Sequence, residues 1–346
     1  MRGRISRAPE AREETLAGVF LDAERSLGAG SRVLVVEDRD GHVERGLAER
    51  GAEVTRWCRS STGERPGSAW PPPGPYTACA LRLPRSKPAL DLALHAAASE
   101  LEPGAPIWMF GANDEGIRSL PRRLEPLFEG THTLVARRHA RVFQAGRAAD
   151  PAGASARAPL SAWQTAERLE LPHGVRPWRC YPGVFARGEL DPGTAWLLEL
   201  LPKPEPGLRV LDFAAGAGVI AADLALREPT LELHLLEADA IALEAAHANL
   251  PDAHLHLSDG WQAAPAGLFD WIVSNPPIHR GNRKDPALLE SLVVEAPRFL
   301  RPTGALWFVV QRTLPVERLV GRAFETLELI GGDTRFRAWK ASKPRR

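Results

Sequence analysis

In the second half of the chain, short apolar runs alternate with segments whose apolar residues recur at a helical spacing. The runs predict strands over residues 208–213, 231–237, 253–257, 270–274 and 304–311. The helical segments are residues 217–227, 240–250, 286–300 and one that begins at Pro315. Strands that alternate with helices are typical of an α/β fold with a doubly wound, mainly parallel sheet. Two last strands, near 327–330 and 335–339, are joined only by a Gly-Gly-Asp turn, which predicts a terminal antiparallel hairpin.

The first half repeats this alternation. Its predicted strands are 32–37, 53–57, 77–83 and 106–110, and its predicted helices are 42–50 and 90–101. We therefore expect two copies of one architecture in tandem. Residues 145–160 have no hydrophobic period and look like part of a linker. The expected organisation is an N-terminal domain over 1–150, a linker over 151–180 and a C-terminal domain over 181–346.

Composition places the chain among ordinary globular proteins. It has 346 residues, of which 44% are apolar and 25% charged, so disordered and collagen-like classes are excluded. No apolar run is long enough for a membrane span, and the basic N-terminus lacks the apolar segment of a secretory signal. The three cysteines are scattered and form no Cys-x-x-Cys pair. We therefore expect no disulfide framework, no metal site and no membrane partner, and a cytoplasmic location.

Charge is distributed unevenly along the chain. The net charge is +1 overall, but residues 201–300 carry 7 basic and 14 acidic side chains, whereas residues 301–346 carry 10 basic and 4 acidic ones. The basic end is either a solvated terminus or a surface that contacts phosphates, and charge alone does not decide between them.

A glycine-containing turn follows the predicted strand 208–213. The turn reads Ala-Ala-Gly-Ala-Gly from Ala214 to Gly218, and the next strand ends in Glu237. Glycines at a strand-to-helix turn let a ligand approach the backbone, and an acid about twenty residues later is suited to ribose hydroxyls. Asp212, just before the turn, would repel a pyrophosphate but suits a cationic cofactor. Asp259, after the third strand, is placed to accept from an adenine amino group.

The most specific motif is Ser-Asn-Pro-Pro-Ile-His at 274–279, which ends the predicted strand 270–274. Ligands of open α/β sheets bind at the carboxyl ends of strands. The carbonyl oxygens of Asn275 and Pro276 are suited to accept hydrogen bonds from one planar NH2 group, and Pro277 stiffens the loop. Such a pair of acceptors would orient a weakly nucleophilic amine towards an electrophile.

With these motifs in this order, the chain resembles class I S-adenosylmethionine-dependent methyltransferases that act on nitrogen. More closely, it resembles the ribosomal RNA small-subunit methyltransferase C family, guanine-N2 methyltransferases with two tandem Rossmann-like methyltransferase domains. The resemblance covers most of the chain and includes four further segments: LPRSKP at 83–88, MFGANDEGIRS at 109–119, YPGVFA at 181–186 and LDPGT at 190–194.

The resemblance implies a role for each matching residue. The cofactor would be S-adenosylmethionine, and the partner would be ribosomal RNA or a ribosomal subunit. Residues implied in cofactor binding are Asp212, Ala214, Gly216, Gly218, Glu237, Asp259 and Asn275. Those implied in catalysis are Asn275, Pro276 and Pro277, and those implied in substrate binding are Ile278, His279 and Arg280. The N-terminal domain would be a degenerate copy without catalysis, and Phe185 is expected near the cofactor.

Two positions depart from the family pattern. Ala214 stands where the family has the first glycine of its loop, and Ile278 stands where it usually has an aromatic residue. Alanine does not easily adopt a positive φ, and an aliphatic side chain does not stack on a base as an aromatic ring does.

Alternatives remain open from the residues alone. One is a guanine-N2 methyltransferase of the large ribosomal subunit, and another is an RNA-binding or ribosome assembly factor that has lost catalysis. A third is a nicotinamide oxidoreductase, which NAD binding would reveal. The oligomeric state is not determined by the sequence, and a monomer is the working expectation.

Overall fold

A computed structural model describes residues 7–84, 86–124, 127–149, 156–185, 189–277, 279–280, 283–284 and 287–345. The chain divides into two compact units. Unit 1 comprises Met1–Arg59 and Ser68–Trp163, and unit 2 comprises Ser60–Gly67 and Gln164–Arg346. Each unit has its own hydrophobic core. The segment Ser60–Gly67 thus belongs to unit 2, although its neighbours in sequence on both sides belong to unit 1.

The described residues of unit 1 form a six-stranded sheet and four α-helices. Its strands are β1 (Arg32–Val36), β2 (Glu53–Trp57), β3 (Ala78–Arg82), β4 (Pro106–Ala112), β5 (Phe128–Arg137) and β6 (Ala140–Arg147). Its helices are α1 (Arg7–Ala23), α2 (His42–Ala48), α3 (Lys87–Glu100) and α4 (Pro121–Leu124). The strand order is β2-β1-β3-β4-β6-β5. The β4–β6 and β5–β6 pairings are antiparallel, and the other pairings in this sheet are parallel.

In unit 2, the part of the chain that the structure describes forms a seven-stranded sheet and two small two-stranded sheets. Its strands are β7 (Thr165–Leu171), β8 (Gly174–Cys180), β9 (Arg209–Phe213), β10 (Glu232–Glu237), β11 (His254–Leu257), β12 (Phe269–Ser274), β13 (His279–Arg280), β14 (Arg283–Lys284), β15 (Leu300–Gln311), β16 (Phe324–Gly332) and β17 (Phe336–Pro344). Its helices are α5 (Pro192–Leu200), α6 (Val219–Arg227), α7 (Ala240–Asn249), α8 (Ala287–Glu295) and α9 (Glu317–Ala323). The large sheet has the order β11-β10-β9-β12-β15-β17-β16.

The two large sheets share one strand order. Taking β1, β2, β3, β4, β5 and β6 as the counterparts of β9, β10, β12, β15, β16 and β17, the order is the same in both units. Within the described residues, β11 is the one strand of the larger sheet without a counterpart in unit 1. The predicted α/β class, the duplication and the terminal antiparallel hairpin are therefore confirmed.

Two hairpins differ from the sequence-based expectation. The pair β5–β6 turns at Arg138 and His139, which adopt φ values of 50° and 62° without any glycine. The pair β7–β8 lies inside the stretch expected to be a linker and packs within unit 2. The β5–β6 turn contains neither glycine nor proline, so it carries no turn signal. The β7–β8 turn contains Pro172 and is followed by Gly174, so its signal was present in the sequence but lay inside the segment taken for a linker.

Two further observations bear on the sequence-based expectations. None of the helices in the described part of the chain combines the length and apolar character that crossing a bilayer requires. Cys58, Cys79 and Cys180 are buried free thiols, and burial raises the pKa of Cys58 to about 12.

Candidate active site

Two adjacent strands of unit 2 bring the glycine turn and the Asn-Pro-Pro motif together. Strands β9 and β12 are parallel neighbours with Asp212 opposite Val273. Just beyond this pair, the Ser274 hydroxyl donates a 2.7 Å hydrogen bond to the Phe213 carbonyl. The two following loops therefore leave the sheet side by side at its carboxyl edge, where open α/β sheets bind ligands.

The backbone of the glycine turn is held in a left-handed conformation at three positions. Ala214, Gly216 and Gly218 have φ values of 58°, 57° and 86°. A Cβ added at Gly216 would meet no atom within 4 Å, so the loop is open on that side. At Gly218 it would lie only 2.9 Å from the side chains of Leu235 and Leu250. Gly216 thus keeps the loop surface accessible, whereas Gly218 allows helix α6 to start against the core.

Glu237, at the end of β10, fixes the shape of this turn. Its Oε2 accepts from the Gly216 N–H at 2.8 Å, and its Oε1 accepts from the N–H groups of Ala238 and Asp239 at 2.8 and 2.9 Å. Burial, together with the Asp239 charge, raises the pKa of Glu237 despite these donors. A carboxylate has about four acceptor positions, so one remains for a hydroxyl donor of a ligand.

Asp212 lies beneath the turn and is 1% exposed. Its Oδ2 accepts a 3.2 Å hydrogen bond from the Ala221 N–H. Its Oδ1 is buried and has no donor among the residues the structure describes. Burial raises the pKa of Asp212 to about 8, and the neighbouring charge of Glu237 adds to the effect. A buried acceptor without a donor is uncommon in folded proteins, and a cation or N–H donor bound at the turn would satisfy it.

Asp259 accepts a hydrogen bond from Ser60–Gly67, the segment of the first half of the sequence that belongs to unit 2. The Gly63 N–H donates to Asp259 Oδ2 at 2.8 Å, and the Ser61 N–H donates to the Ala238 carbonyl at 2.8 Å. A cavity of about 170 Å³ lies between the 60–67 segment and the residues around Asp259. It is lined by Ser61, Gly63, Glu64, Pro66, Leu257, Ser258, Asp259, Gln262 and Ala263. Sites for whole ligands are usually larger, about 300–1,000 Å³, so this cavity suits one part of a ligand.

Asn275 is oriented by the segment that precedes helix α5. Its Nδ2 donates to Asp191 Oδ1 at 2.8 Å and to Thr194 Oγ1 at 2.9 Å. A carboxylate only accepts hydrogen bonds, so the amide nitrogen must face Asp191 and the amide oxygen must face away. The described residues supply no donor to this oxygen. Asn275 therefore presents a free acceptor at the carboxyl edge, and the two prolines after it offer no competing N–H.

Asp191 has a second role, because the same Oδ1 caps helix α5. It accepts from the N–H groups of Gly193 and Thr194 at 2.9 and 3.0 Å. The Asp-Pro pair at 191–192 is a helix-start signal that the sequence displays. Its contact with Asn275, 84 residues away, is not readable from the sequence, so the orienting roles of Asp191 and Thr194 were missed.

For the other site residues predicted from the sequence, the structure gives less information. Ile278 lies outside the described residues. His279 and Arg280 are described only as the backbone of β13, which pairs with β14. Phe185, expected near the cofactor, is 69% exposed. Glu232, His234 and His254, which no sequence motif singled out, come together elsewhere in unit 2.

At the corresponding carboxyl edge of the unit 1 sheet, different side chains follow the strands. The turn after β1 carries Asp38, whose carboxylate accepts from the N–H groups of His42 and Glu44 at the start of α2. At the end of β3, the guanidinium of Arg82 is 7% exposed and bonds Glu13 and Glu115 at 2.8 to 2.9 Å. Burial opposes the Arg82 charge, but these two carboxylates outweigh it and raise the pKa of Arg82. Side chains of unit 1 itself thus occupy this edge.

Comparison with known proteins agrees with this architecture. Residues 178–340 match the methyltransferase small domain family. Residues 30–158 match a second family, the methyltransferase small domain N-terminal family. The ribosomal RNA small subunit methyltransferase C of Stutzerimonas stutzeri is 34% identical over 275 residues, which are 78% of this chain and 80% of that protein. The chain belongs to the ribosomal RNA small subunit methyltransferase C family. The predicted family and the predicted enzyme class, a methyltransferase, are therefore confirmed.

Two further similarities bear on this family. The ribosomal RNA large subunit methyltransferase G of Streptomyces coelicolor is 31% identical over 362 residues, covering 97% of this chain and 94% of that protein. A solved T. thermophilus structure, the 16S rRNA N2 G1207 methyltransferase in complex with AdoMet and guanosine, has a TM-score of 0.80 at 24% identity. The match covers 98% of this chain and 93% of the T. thermophilus chain, and it supports the two-domain fold.

The buried carboxyl of Asp212 predicts a specific dependence of stability on pH. Between about pH 4 and pH 8 the unfolded chain ionises Asp212 while the folded protein keeps it protonated, so the free energy of unfolding falls as pH rises. Asp212→Asn removes this contribution. We expect the stability of the variant, relative to the native protein, to improve by about 3 kcal/mol between pH 5 and pH 7.5, at about 1.4 kcal/mol per pH unit. Urea denaturation at both pH values measures this, and an unchanged difference would contradict the assignment.

The left-handed conformation of Ala214 gives a second prediction. A positive φ costs an L-residue about 1–2 kcal/mol, which glycine avoids. Glycine also loses more entropy on folding, by about 0.5–1 kcal/mol. Ala214→Gly should therefore leave stability unchanged or raise it slightly. The matched control Ala215→Gly, at a residue without a positive φ, should lower it. Equal losses in the two variants, in denaturation of the cofactor-free protein, would show that Ala214 is unstrained.

Proposed function

We propose that this protein transfers a methyl group from S-adenosylmethionine to the exocyclic N2 amine of a guanine in small-subunit ribosomal RNA. The observation that carries the proposal is the fixed orientation of Asn275, which presents an amide oxygen beside the glycine turn. The proposed substrate agrees with the name of the Stutzerimonas stutzeri relative and with the guanosine in the T. thermophilus complex.

The residues around the glycine turn fit the proposed cofactor. The unsatisfied Oδ1 of Asp212 suits an amino group, and Glu237 keeps capacity for a ribose hydroxyl. Asp259 and the cavity beside it suit the heterocyclic base. The open face at Gly216, between Ala214 and Gly218, gives a ligand access to the backbone. When bound, S-adenosylmethionine supplies a methyl group activated by a sulfonium centre.

The chain's own contribution to catalysis is alignment. The amide oxygen of Asn275 and the carbonyl of Pro276 accept from the two N–H groups of the guanine amine and hold its nitrogen towards the methyl group. With the cofactor bound, the amine so held would accept the methyl group from the sulfonium, leaving the neutral thioether, and would then release a proton to water, so no dedicated base among the chain's residues would be required. Pro277 stiffens the loop, and Ile278, His279 and Arg280 are assigned to the nucleotide around the target. The base must leave its stack to reach this edge.

The N-terminal unit is assigned a supporting role within the same proposal. Its corresponding edge is occupied by Arg82 and its carboxylate partners, and Asp38 caps the helix where unit 2 has an open turn. We assign to this unit a role in RNA binding or folding, without cofactor binding. The protein is further proposed to act as a monomer in the cytoplasm, on ribosomal RNA or on a ribosomal subunit.

The proposal predicts methyl transfer to a defined RNA. With labelled S-adenosylmethionine and ribosomal subunits from cells that lack the modification, label should appear in small-subunit RNA on a guanine N2. Label in large-subunit RNA would support the proposed methyl transfer but assign it to a different RNA, as the name of the Streptomyces coelicolor relative suggests. Tight cofactor binding with no transfer to either subunit or its free RNA would point to a different substrate, whereas the absence of both transfer and cofactor binding would favour the non-catalytic alternative.

The role of Asn275 predicts a separation of catalysis from cofactor binding. Asn275→Ala should lower kcat at least about 100-fold, the scale of losing one fixed polar group at a reacting centre, with cofactor Kd changed less than threefold. Asp191→Asn removes the charge that holds the amide but keeps a helix-capping oxygen, so a smaller loss of about tenfold is expected.

A matched asparagine in unit 1 serves as the control. Asn113 is also half-buried, and its Oδ1 accepts from Arg141, so Asn113→Ala should leave kcat unchanged. If Asn275→Ala weakens cofactor binding as strongly as it slows transfer, the assigned role of Asn275 is wrong.

A further inference from the structure

A cluster of ligand-type side chains lies on the edge of the large sheet of unit 2. Glu232 and His234 are alternate residues of β10, and His254 and His256 are alternate residues of the edge strand β11. His234 lies directly opposite His254 in the parallel ladder. Because alternate residues of a strand share one face, the four side chains project from the same face of two neighbouring strands.

The contacts in this cluster are close. His234 Nε2 lies 2.8 Å from Glu232 Oε1, and His234 Nδ1 lies 2.9 Å from His256 Nε2. The rings of His234 and His254 stack with centroids 4.6 Å apart. One ligand atom each from Glu232, His234 and His254 falls within 4.8 Å of the others. His234 is 4% exposed, whereas Glu232 and His254 are exposed.

We propose that Glu232, His234 and His254 bind one divalent transition-metal ion, with Zn²⁺ as the ion whose ligand preferences fit best. Two imidazoles and one carboxylate form an established donor set for zinc and leave a fourth position for water. Bonds of about 2.0–2.2 Å require the exposed Glu232 and His254 side chains to close by roughly an ångström around the ion. His234, which is buried, needs no such movement.

The groups around the three ligands support this assignment. A metal-bound histidine usually donates its other ring N–H to a partner that fixes the ring, and His256 occupies that position for His234. Arg209 Nε donates to Glu232 Oε1 at 2.9 Å, which orients the carboxylate and leaves Oε2 available to the ion. Arg209 is also a nearby positive charge that lowers affinity, so we expect binding in the micromolar range and not the much tighter binding of structural zinc sites.

The proposed metal site is separate from the methyl-transfer edge. Glu232 begins β10, whereas Glu237 ends it, and five strand residues span about 16 Å. The ion is therefore assigned a structural role, in which it ties the edge strand β11 to β10. Strand β11 leads directly to Asp259, so the ion would secure the base of the loop that carries this residue.

Zinc titration of the untagged full chain tests the proposal. After treatment with a chelator, calorimetry with ZnCl2 should show one equivalent bound per chain, and Co²⁺ should give the visible absorption of a low-symmetry site. Because a ligand that binds only the folded state raises its stability, Zn²⁺ should also raise the Tm. His254→Ala and Glu232→Gln should each weaken binding at least tenfold and abolish the Tm shift.

The controls keep the outcome unambiguous. Glu232 and His254 are exposed, so their variants should retain the native circular dichroism spectrum. His247→Ala, at an exposed histidine of α7, should bind Zn²⁺ as the native protein does. Binding that is absent in the native chain, or unchanged in His254→Ala, would overturn the proposal. Cofactor affinity of the metal-free protein should be normal, so this test stands independently of the proposed methyltransferase function.

Discussion

The candidate active site depends on the parallel pairing of β9 with β12. This ladder sets Asp212 opposite Val273, and the bond from Ser274 to the Phe213 carbonyl extends the registration past the last paired residues. A parallel ladder brings the carboxyl ends of both strands to one edge, so two loops 60 residues apart in sequence become adjacent. The position of Asn275 beside the glycine turn depends on that registration, and the parallel pairing of β9 with β10 on the other side brings Glu237 to the same turn.

Much of the fold and the central motifs were predictable from the sequence, because they rest on local signals. Alternating apolar runs predict strands, and the glycine turn and Asn-Pro-Pro motif mark strand ends by themselves. The missed features either lack a local signal or depend on partners that are distant in the sequence. The β5–β6 hairpin turns on Arg138 and His139, which carry no turn signal, and the orientation of Asn275 depends on Asp191. The histidine cluster unites two strands whose histidines are twenty residues apart.

The two units have the same strand order but different side chains and turn conformations at the carboxyl edge of the sheet. In unit 2 a left-handed turn leaves backbone open and an aspartate oxygen unsatisfied. In unit 1 the equivalent strand ends meet a helix-capping aspartate and a buried arginine bonded by two carboxylates. A buried ion pair is costly to break, because removing one partner leaves a charge without compensation. The edge of unit 1 is therefore closed by strong interactions and not merely unused.

The assignment of Ser60–Gly67 to unit 2 has a consequence for how the protein is divided. The chain passes between the units at three places, after Arg59, after Gly67 and after Trp163. No single cleavage point separates it into two complete units. A polypeptide that begins at Gln164 lacks Gly63 and the donor that this residue gives to Asp259. During synthesis, the segment that completes unit 2 emerges from the ribosome well before the rest of that unit. The two units thus share one strand order, but unit 2 is not a continuous segment and cannot be produced as one uninterrupted piece of the chain.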